Sequence, residues 1–159
     1  MKILILPGDG IGPEIISVAE AALGALNSRF SLDLTLNRQK AGLDSLKTSG
    51  VTITEEVAKL AKVADGVVLG PASTEDYPSE AEGGVNISSW FRKTFDLYAN
   101  IRPSKIRAGV RGYVEKMDLI IVRENTEGFY ADRNMAVGTG EFMPTPDLAL
   151  AVGKATKEG

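Results

Sequence analysis

The sequence contains no cysteine and no histidine among its 159 residues. The absence of cysteine excludes disulfide bonds, thiolate zinc sites and cysteine nucleophiles. The absence of histidine excludes the Ser-His-Asp arrangement of many hydrolases. Acid–base chemistry must therefore use Tyr, Lys, Asp or Glu. Any metal site would be built from oxygen ligands, which suits Mg²⁺ or Mn²⁺.

The charge balance and the hydropathy of the chain exclude two classes of partner. A net charge of -3 at pH 7 leaves no electrostatic footprint for nucleic acid or for an anionic membrane. No apolar run approaches the roughly 20 residues that a membrane span needs. The apolar run at the N-terminus ends at Pro7, which favours a buried strand over a secretory signal. We therefore expect a cytoplasmic protein that binds neither nucleic acid nor membrane.

Segments of strand type and helix type alternate along the first part of the chain. "KILILP" predicts a buried strand, and "GPEIISVAEAALGAL" predicts a helix with Pro13 in its first turn. "SLDLTL" predicts a strand with Leu32, Leu34 and Leu36 on one face. Thr54 is the predicted cap of the helix "EEVAKLAKVA", and "GVVLGP" predicts another buried strand. This alternation predicts an α/β fold with a largely parallel sheet.

The later part of the chain begins with a polar, acidic stretch, "STEDYPSEAEGG", which predicts a loop. A helix, "VNISSWFRK", is predicted next. It is followed by "DLYANIRP", an extended segment that we expect to stop at Pro103. "DLIIV" predicts a further strand of the buried type that ends at Arg123.

The glycines of "LPGDGIGPEI" resemble a dinucleotide-binding loop, but the pattern is incomplete. The Rossmann fingerprint G-x-G-x-x-G needs a third glycine where this chain has Pro13. Glu14 in the first helical turn would also repel a pyrophosphate that approached the same N–H groups. Three interpretations remain, of which the first is disfavoured: a true Rossmann loop, a tight turn that enters a helix, or a turn that lines a cofactor pocket without holding the phosphates.

Three arginines stand where ligands bind in open α/β sheets. Arg92 lies near the end of a predicted helix, Arg102 ends "YANIRP", and Arg123 follows a predicted strand. Guanidinium groups bind carboxylates in bidentate fashion, so these arginines suit a di- or tricarboxylate. The alternatives are surface ion pairs or a solvated basic face between Arg92 and Lys116. Spacing alone does not show that the three converge.

Tyr130 lies shortly after Arg123, in "RENTEGFY". A tyrosine beside cations can serve as a general acid, because cations favour the phenolate and lower the phenol's pKa. The alternative is a half-buried packing residue.

Three segments together carry a resemblance to a known family: "LPGDGIGPEI", "FRKTFDLYANIRP" and "DLIIVRENTEGFYA". In this order they resemble the β-decarboxylating dehydrogenases, which include the isocitrate, 3-isopropylmalate, homoisocitrate and tartrate/malate dehydrogenases. The resemblance implies an isopropylmalate dehydrogenase-like two-domain fold, which is not a Rossmann domain. It also implies metal- and NAD(P)-dependent oxidative decarboxylation of a 2-hydroxy acid.

The resemblance assigns roles to individual residues. Arg92, Arg102 and Arg123 would hold the substrate carboxylates, and Tyr130 would protonate the enol after CO₂ leaves. Ile11 and Thr74 are the implied cofactor contacts. NAD⁺ or NADP⁺ would accept the hydride, with Mg²⁺ or Mn²⁺ as Lewis acid.

Substrate choice in this family depends on the helix that precedes the first arginine. Asn86 and Ser88 stand here, and Ser88 lies one helical turn before Arg92. The isopropylmalate enzymes have leucine near these positions. Polar residues favour isocitrate, malate or tartrate, unless Ser88 is simply an exposed helix serine.

The resemblance covers roughly the N-terminal half of a family member. It implies that residues 1–97 belong to a large domain and residues 98–159 to a small one, with an arm at about 129–153 that pairs with a second subunit. The catalytic lysine, the metal-binding aspartates and the main cofactor loop would lie beyond Gly159, so we expect this chain alone to be inactive. The alternatives are a non-catalytic regulatory or binding subunit of the family and a stand-alone Rossmann-type module.

Overall fold

The structure is a computed structural model that describes residues 1–126, Thr145 and Lys157. Tyr130 and the predicted arm at about 129–153 lie outside this range, apart from Thr145. The chain divides into two compact units, Met1–Trp90 and a second that begins at Phe91. The assignment of residues 1–97 and 98–159 to two domains concerns the complete protein and stays a prediction.

The first unit is built around a parallel sheet of three strands in the order β2-β1-β3. Its elements, in chain order, are β1 (Lys2–Leu6), α1 (Gly12–Phe30), β2 (Thr35–Arg38), α2 (Leu43–Ser49), α3 (Glu55–Val63) and β3 (Gly66–Leu69). The central strand β1 carries the core of this unit, since Leu4, Ile5 and Leu6 are all buried. The expected α/β fold with a parallel sheet is confirmed.

Several local predictions for this unit are also confirmed. Pro13 stands in the first turn of α1. The side chain of Thr54 accepts a hydrogen bond of 3.3 Å from the backbone N–H of Val57, which caps α3. The acidic stretch after β3 contains only two 3₁₀ turns, Thr74–Asp76 and Glu80–Glu82.

The prediction for the second strand is wrong. Strand β2 begins only at Thr35, while Leu32 precedes it and is 47% exposed. Asp33 has a φ of 52°, a left-handed conformation that breaks the extended backbone. The amide of Asn27, at the end of α1, binds both the N–H and the carbonyl of Leu34. The Asn27 side chain therefore takes up the backbone hydrogen-bonding groups of Leu34, a residue that the alternating leucines predicted to lie in the strand.

Helix α2 was not predicted, and Thr52 beyond it fixes the approach to the next helix. The buried Thr52 hydroxyl donates to the carbonyl of Val85 at 2.8 Å and accepts from the Val85 N–H at 2.9 Å. Its own N–H donates to the carbonyl of Gly83. These bonds hold the segment that leads into α4 (Ile87–Thr94), where Ile87 is fully buried.

The later part of the chain contains an antiparallel hairpin of β4 (Ala99–Lys105) and β5 (Asp118–Glu124). The prediction that the first of these strands stops at Pro103 is wrong, since β4 continues to Lys105. Proline is tolerated there because, among the described residues, β4 has one partner strand, so one of its edges needs no donor. Strand β5 likewise extends through Arg123 to Glu124.

The expected burial of β5 is not found. Its apolar side chains from Leu119 to Val122 are 43–66% exposed in this chain. A two-stranded hairpin covers neither of its faces, so an apolar sequence alone does not bury it.

Candidate functional site

The carboxyl ends of β1 and β3 lie side by side, since these strands pair in parallel from Ile3↔Gly66 to Leu6↔Leu69. The chain leaves β1 toward β2 on one side and later crosses back to β3 on the other. Such a reversal is a topological switch point, where ligands bind beyond the carboxyl ends of the strands. The loops that follow β1 and β3 therefore form the expected binding edge of this unit.

These two loops are in direct contact. The backbone N–H of Asp9 donates to the carbonyl of Pro71 at 2.7 Å. Gly8 has a φ of 72°, and a Cβ there would lie 2.0 Å from the same Pro71 oxygen. The first glycine of the opening stretch is therefore needed for the close approach of the two loops.

The start of α1 does not form a dinucleotide-phosphate cradle. The N–H of Gly12 donates to the carbonyl of Asp9 at 2.7 Å, and Pro13 has no N–H. The carboxylate of Glu14 stands in the same first turn. Few donors therefore remain for a pyrophosphate, which supports the interpretation of a turn beside a ligand over that of a Rossmann loop.

The two predicted cofactor contacts, Ile11 and Thr74, lie in these adjoining loops. Ile11 is the N-cap residue of α1, and its side chain is 64% exposed. Thr74 begins the first 3₁₀ turn after β3 and is half-buried. An exposed apolar side chain and a polar one at a sheet's binding edge fit a flat, partly polar cofactor.

Asp9 joins these loops to a third segment, and sequence analysis missed it. Only 5% of Asp9 is exposed, and its carboxylate accepts three hydrogen bonds. The donors are the Leu43 N–H at 2.6 Å, the Ser73 N–H at 3.2 Å and the Tyr77 hydroxyl at 2.5 Å. Burial, and then the adjacent Asp9 carboxylate, raise the pKa of Tyr77 above its ordinary value. Tyr77 therefore remains a neutral donor at physiological pH.

Three of the predicted substrate residues lie in helix α4 or directly before it. The side-chain oxygen of Asn86 accepts a hydrogen bond of 3.0 Å from the Ser89 N–H, which is an N-cap interaction. Ser88 and Arg92 are both in the helix and both half-buried, and four residues separate them. They therefore share a helix face, as the sequence predicted. The structure also gives Asn86 a capping role that the sequence analysis did not assign.

The hairpin brings the other two predicted arginines onto one face. Arg102 pairs with Ile121, and Arg123 pairs with Asn100. Because side chains alternate along a strand, Asn100, Arg102 and Arg123 project to the same side. The Nε of Arg102 donates to the side-chain oxygen of Asn100 at 3.0 Å. We call these three residues the arginine face.

The buried Asn125, just beyond β5, donates from its amide to the carbonyl of Leu97 at 2.9 Å, which links the ends of the two hairpin strands.

Within residues 1–126, no three acidic side chains cluster to hold a metal ion. No helix in this range is long and apolar enough to cross a membrane. The described residues therefore form a binding-edge loop pair and a face with two arginines, and they contain no acidic cluster for a metal ion.

The sequence of the chain matches a known family along almost its entire length. A family profile described as isocitrate/isopropylmalate dehydrogenase matches residues 2–154. A 3-isopropylmalate dehydrogenase of Methanothermobacter thermautotrophicus is 38% identical over 152 residues, which are 96% of this chain and 41% of that protein. Another from Saccharolobus solfataricus is 31% identical over 139 residues, 87% of this chain and 39% of that protein. The chain thus spans about two fifths of the length of these curated relatives.

Solved structures agree with the sequence comparison. The isocitrate dehydrogenase of Methylococcus capsulatus matches with a TM-score of 0.67 and 27% identity, over 98% of this chain and 42% of that one. A β-decarboxylating dehydrogenase from Thermococcus kodakarensis matches with a TM-score of 0.65 and 27% identity, over 99% of this chain and 41% of that one. The chain belongs to the isocitrate/isopropylmalate dehydrogenase family.

Proposed function

We propose that the protein that carries this chain catalyses the NAD(P)- and metal-dependent oxidative decarboxylation of a 2-hydroxy di- or tricarboxylic acid. The observation that carries the proposal is the arginine face. The register of β4 and β5 sets Arg102 and Arg123 on one side of the hairpin, where two guanidinium groups suit a substrate with several carboxylates. Family membership supports the same reaction type.

In this proposal Arg102 and Arg123 bind the substrate's carboxylates, together with Arg92 from α4. Asn100 holds the Nε of Arg102, which limits the orientations of that side chain. A planar guanidinium that is held in place loses less conformational freedom on binding a carboxylate. The arginines also offset the negative charge of a substrate that approaches this chain, whose net charge is -3.

Ile11 and Thr74 are the proposed contacts to the nicotinamide cofactor. Their loops lie at the carboxyl edge of β1 and β3, where the fold presents ligands. NAD⁺ or NADP⁺, when bound, accepts the hydride from the carbon that bears the hydroxyl group. Mg²⁺ or Mn²⁺ remains the proposed metal, and no step is assigned to it because the residues described here form no acidic cluster.

Tyr130, which lies outside the described residues, is the proposed proton donor. Oxidation of the hydroxyl gives a 2-oxo acid, and loss of the β-carboxylate as CO₂ leaves its electron pair in an enolate. The phenol O–H of Tyr130 then delivers a proton to the carbon that lost CO₂. In the naturally encoded protein, Tyr130→Phe is expected to slow decarboxylation more than hydride transfer. An equal decrease in the rates of both steps would contradict the role of Tyr130 as proton donor.

The substrate within the class is proposed from the residues of α4. Ser88 and Asn86 are polar, which favours isocitrate, malate or tartrate over the apolar side chain of 3-isopropylmalate. The relatives at 31% and 38% identity are named 3-isopropylmalate dehydrogenases, so that acid belongs in the same comparison. We also propose a cytoplasmic homodimer or higher homo-oligomer, with residues 129–153 as the pairing arm.

The test is an assay of cofactor reduction by the naturally encoded protein, followed at the absorbance of NADH and NADPH. Isocitrate, 3-isopropylmalate, D-malate and tartrate are each supplied with Mn²⁺ and with NAD⁺ or NADP⁺. Reduction with at least one acid, and a higher KM for that acid in Arg102→Gln, supports the proposal. No reduction with any acid would overturn it. Binding of a hydroxy acid without turnover would instead favour the regulatory or binding subunit.

A further inference from the structure

Asp9 uses four of its atoms to join separate parts of the first unit. Its backbone N–H binds Pro71, its carbonyl accepts from Gly12, and its two carboxylate oxygens accept from Leu43, Ser73 and Tyr77. We call the loops at 7–12, 42–43 and 71–77 the loop cluster. The side chain of Asp9, itself in the first of these loops, thus links all three of them.

The position of Asp9 in the chain couples the two proposed cofactor contacts. Ile11 lies two residues after Asp9, in the turn that the Gly12–Asp9 bond closes. Thr74 directly follows Ser73, whose N–H donates to the Asp9 carboxylate at 3.2 Å. A displacement of that carboxylate would therefore shift the backbone beside Ile11 and the backbone beside Thr74.

The surroundings restrict the carboxylate to one position. Gly42 packs so closely that a Cβ there would lie 2.3 Å from the Asp9 Oδ1 atom. The hydroxyl of Tyr77 approaches the Oδ2 atom, and its raised pKa keeps it a donor. Three donors meet at this buried position, and each of them costs free energy if it is left without an acceptor. A carboxylate, which can accept all three hydrogen bonds, is therefore strongly preferred there.

We propose that Asp9 is a positioning residue for the nicotinamide cofactor, because its carboxylate sets the spacing between the loops that carry Ile11 and Thr74. The inference rests on the proposed function and deepens it. Asp9 does not touch the cofactor in this proposal. It acts through the backbone at Ser73 and through the turn at residues 9–12.

Two variants of the naturally encoded protein divide the contacts of Asp9. Asp9→Asn keeps a shape close to the carboxylate but places an NH₂ group where one oxygen accepts, so it cannot satisfy all three donors. Tyr77→Phe removes one donor and leaves both backbone bonds in place. Asp44→Asn is the matched control, because Asp44 lies in the adjacent helix α2 with its side chain 62% exposed.

The readouts are the KM for the cofactor, the kcat at saturating cofactor, and the dissociation constant of NADH or NADPH from fluorescence titration. Hydrogen exchange at the amides of Leu43 and Ser73 reports on the loop cluster without turnover. We expect Asp9→Asn to raise the cofactor KM and the dissociation constant about tenfold, as loss of a charge-assisted hydrogen bond implies. The kcat and the KM for the hydroxy acid are expected to stay within about twofold, and both amides to exchange faster. Tyr77→Phe is expected to show a smaller change in the same direction.

The outcomes separate this proposal from the proposed function. A folded Asp9→Asn protein with unchanged cofactor affinity would overturn the positioning role, whether or not the wild type turns over. An equal loss of kcat, substrate affinity and cofactor affinity would also overturn it, since general loosening predicts that pattern. If the wild type binds NAD(P)H but reduces no cofactor with any acid, the proposed reaction fails, and the cofactor affinity of Asp9→Asn still decides the role of Asp9. A wild type that binds no nicotinamide cofactor would overturn the role of Asp9 as well.

Discussion

Arg102 and Arg123 lie on the same face of the β4–β5 hairpin, one diagonal step apart across the strands. Asn100 is directly opposite Arg123 and binds the Nε of Arg102. Diagonal neighbours in an antiparallel pair are roughly 7–8 Å apart at Cα, so their long side chains reach a common ligand. The strand register, rather than sequence spacing, makes these two arginines neighbours.

Replacement of either arginine is expected to weaken binding of the hydroxy acid. Arg102→Gln or Arg123→Gln removes a charge-assisted hydrogen bond worth about 1.5–3 kcal/mol, which corresponds to a rise in substrate KM of roughly 10- to 100-fold. Steady-state kinetics of the naturally encoded protein measures this change. Arg111→Gln is the control, since that exposed arginine lies in the loop between the two strands. A substrate KM unchanged in both variants would contradict the arginine face as a carboxylate site.

Ser88→Leu is expected to change the preferred substrate. A leucine one turn before Arg92 adds apolar contact for an isopropyl group and removes a partner for a polar substituent. The ratio of kcat/KM for 3-isopropylmalate to that for isocitrate or malate should rise about tenfold or more. Thr94→Leu, at the exposed end of the same helix, should leave the ratio unchanged. Equal ratios in the Ser88 variant and the wild type would place Ser88 outside the specificity pocket.

Much of the fold could be predicted because its signals are local. The apolar run of β1, the proline at the start of α1 and the Thr54 cap each act within a few residues. The failures come from contacts with residues outside the predicted segments. The side chain of Asn27, in the preceding helix, hydrogen-bonds to the backbone of Leu34. Among the described residues β4 pairs with β5 alone, which allows the strand to continue through Pro103.

The candidate site could be predicted only in part, for the same reason. The residue pattern indicated the arginines, and the resemblance supplied their roles and the positions of Ile11 and Thr74. Neither supplied the contacts of Asp9. Its side-chain partners are 34, 64 and 68 residues away in the chain, and no periodicity or motif reports such distances. The one indication in the sequence was the position of Asp9 between two glycines of the opening turn, and that pattern predicts the turn but no role for the carboxylate.

A pair of glycines at the two ends of α2 tests how tightly the loop cluster is packed. Gly42 and Gly50 both have positive φ, at 77° and 76°. A Cβ at Gly50 would meet nothing within 4 Å, whereas one at Gly42 would collide with the Asp9 carboxylate. Gly50→Ala is therefore expected to lower the free energy of unfolding by about 1 kcal/mol from backbone strain alone. Gly42→Ala should cost clearly more, because Gly42 has a ψ of -145°, outside the αL region that Gly50 occupies, and because its Cβ would meet the Asp9 carboxylate. Urea denaturation of the two proteins measures the difference. Equal costs would indicate that the Asp9 carboxylate has room to move.

Tyr77 predicts how stability responds to alkaline pH. Burial and the Asp9 carboxylate raise the pKa of this phenol, so the folded state keeps a proton that the unfolded state releases above about pH 10. The stability that Tyr77 contributes is therefore complete below about pH 10 and is lost as the pH rises further. At pH 8 the wild type should be more stable than Tyr77→Phe by about 1 kcal/mol, the net worth of a hydrogen bond. This advantage should shrink at pH 11 in urea denaturation, while Tyr113→Phe, at a fully exposed tyrosine, should match the wild type at both pH values. If the difference in the free energy of unfolding between wild type and Tyr77→Phe stays constant from pH 8 to pH 11, the environment of Tyr77 does not raise the pKa of its phenol.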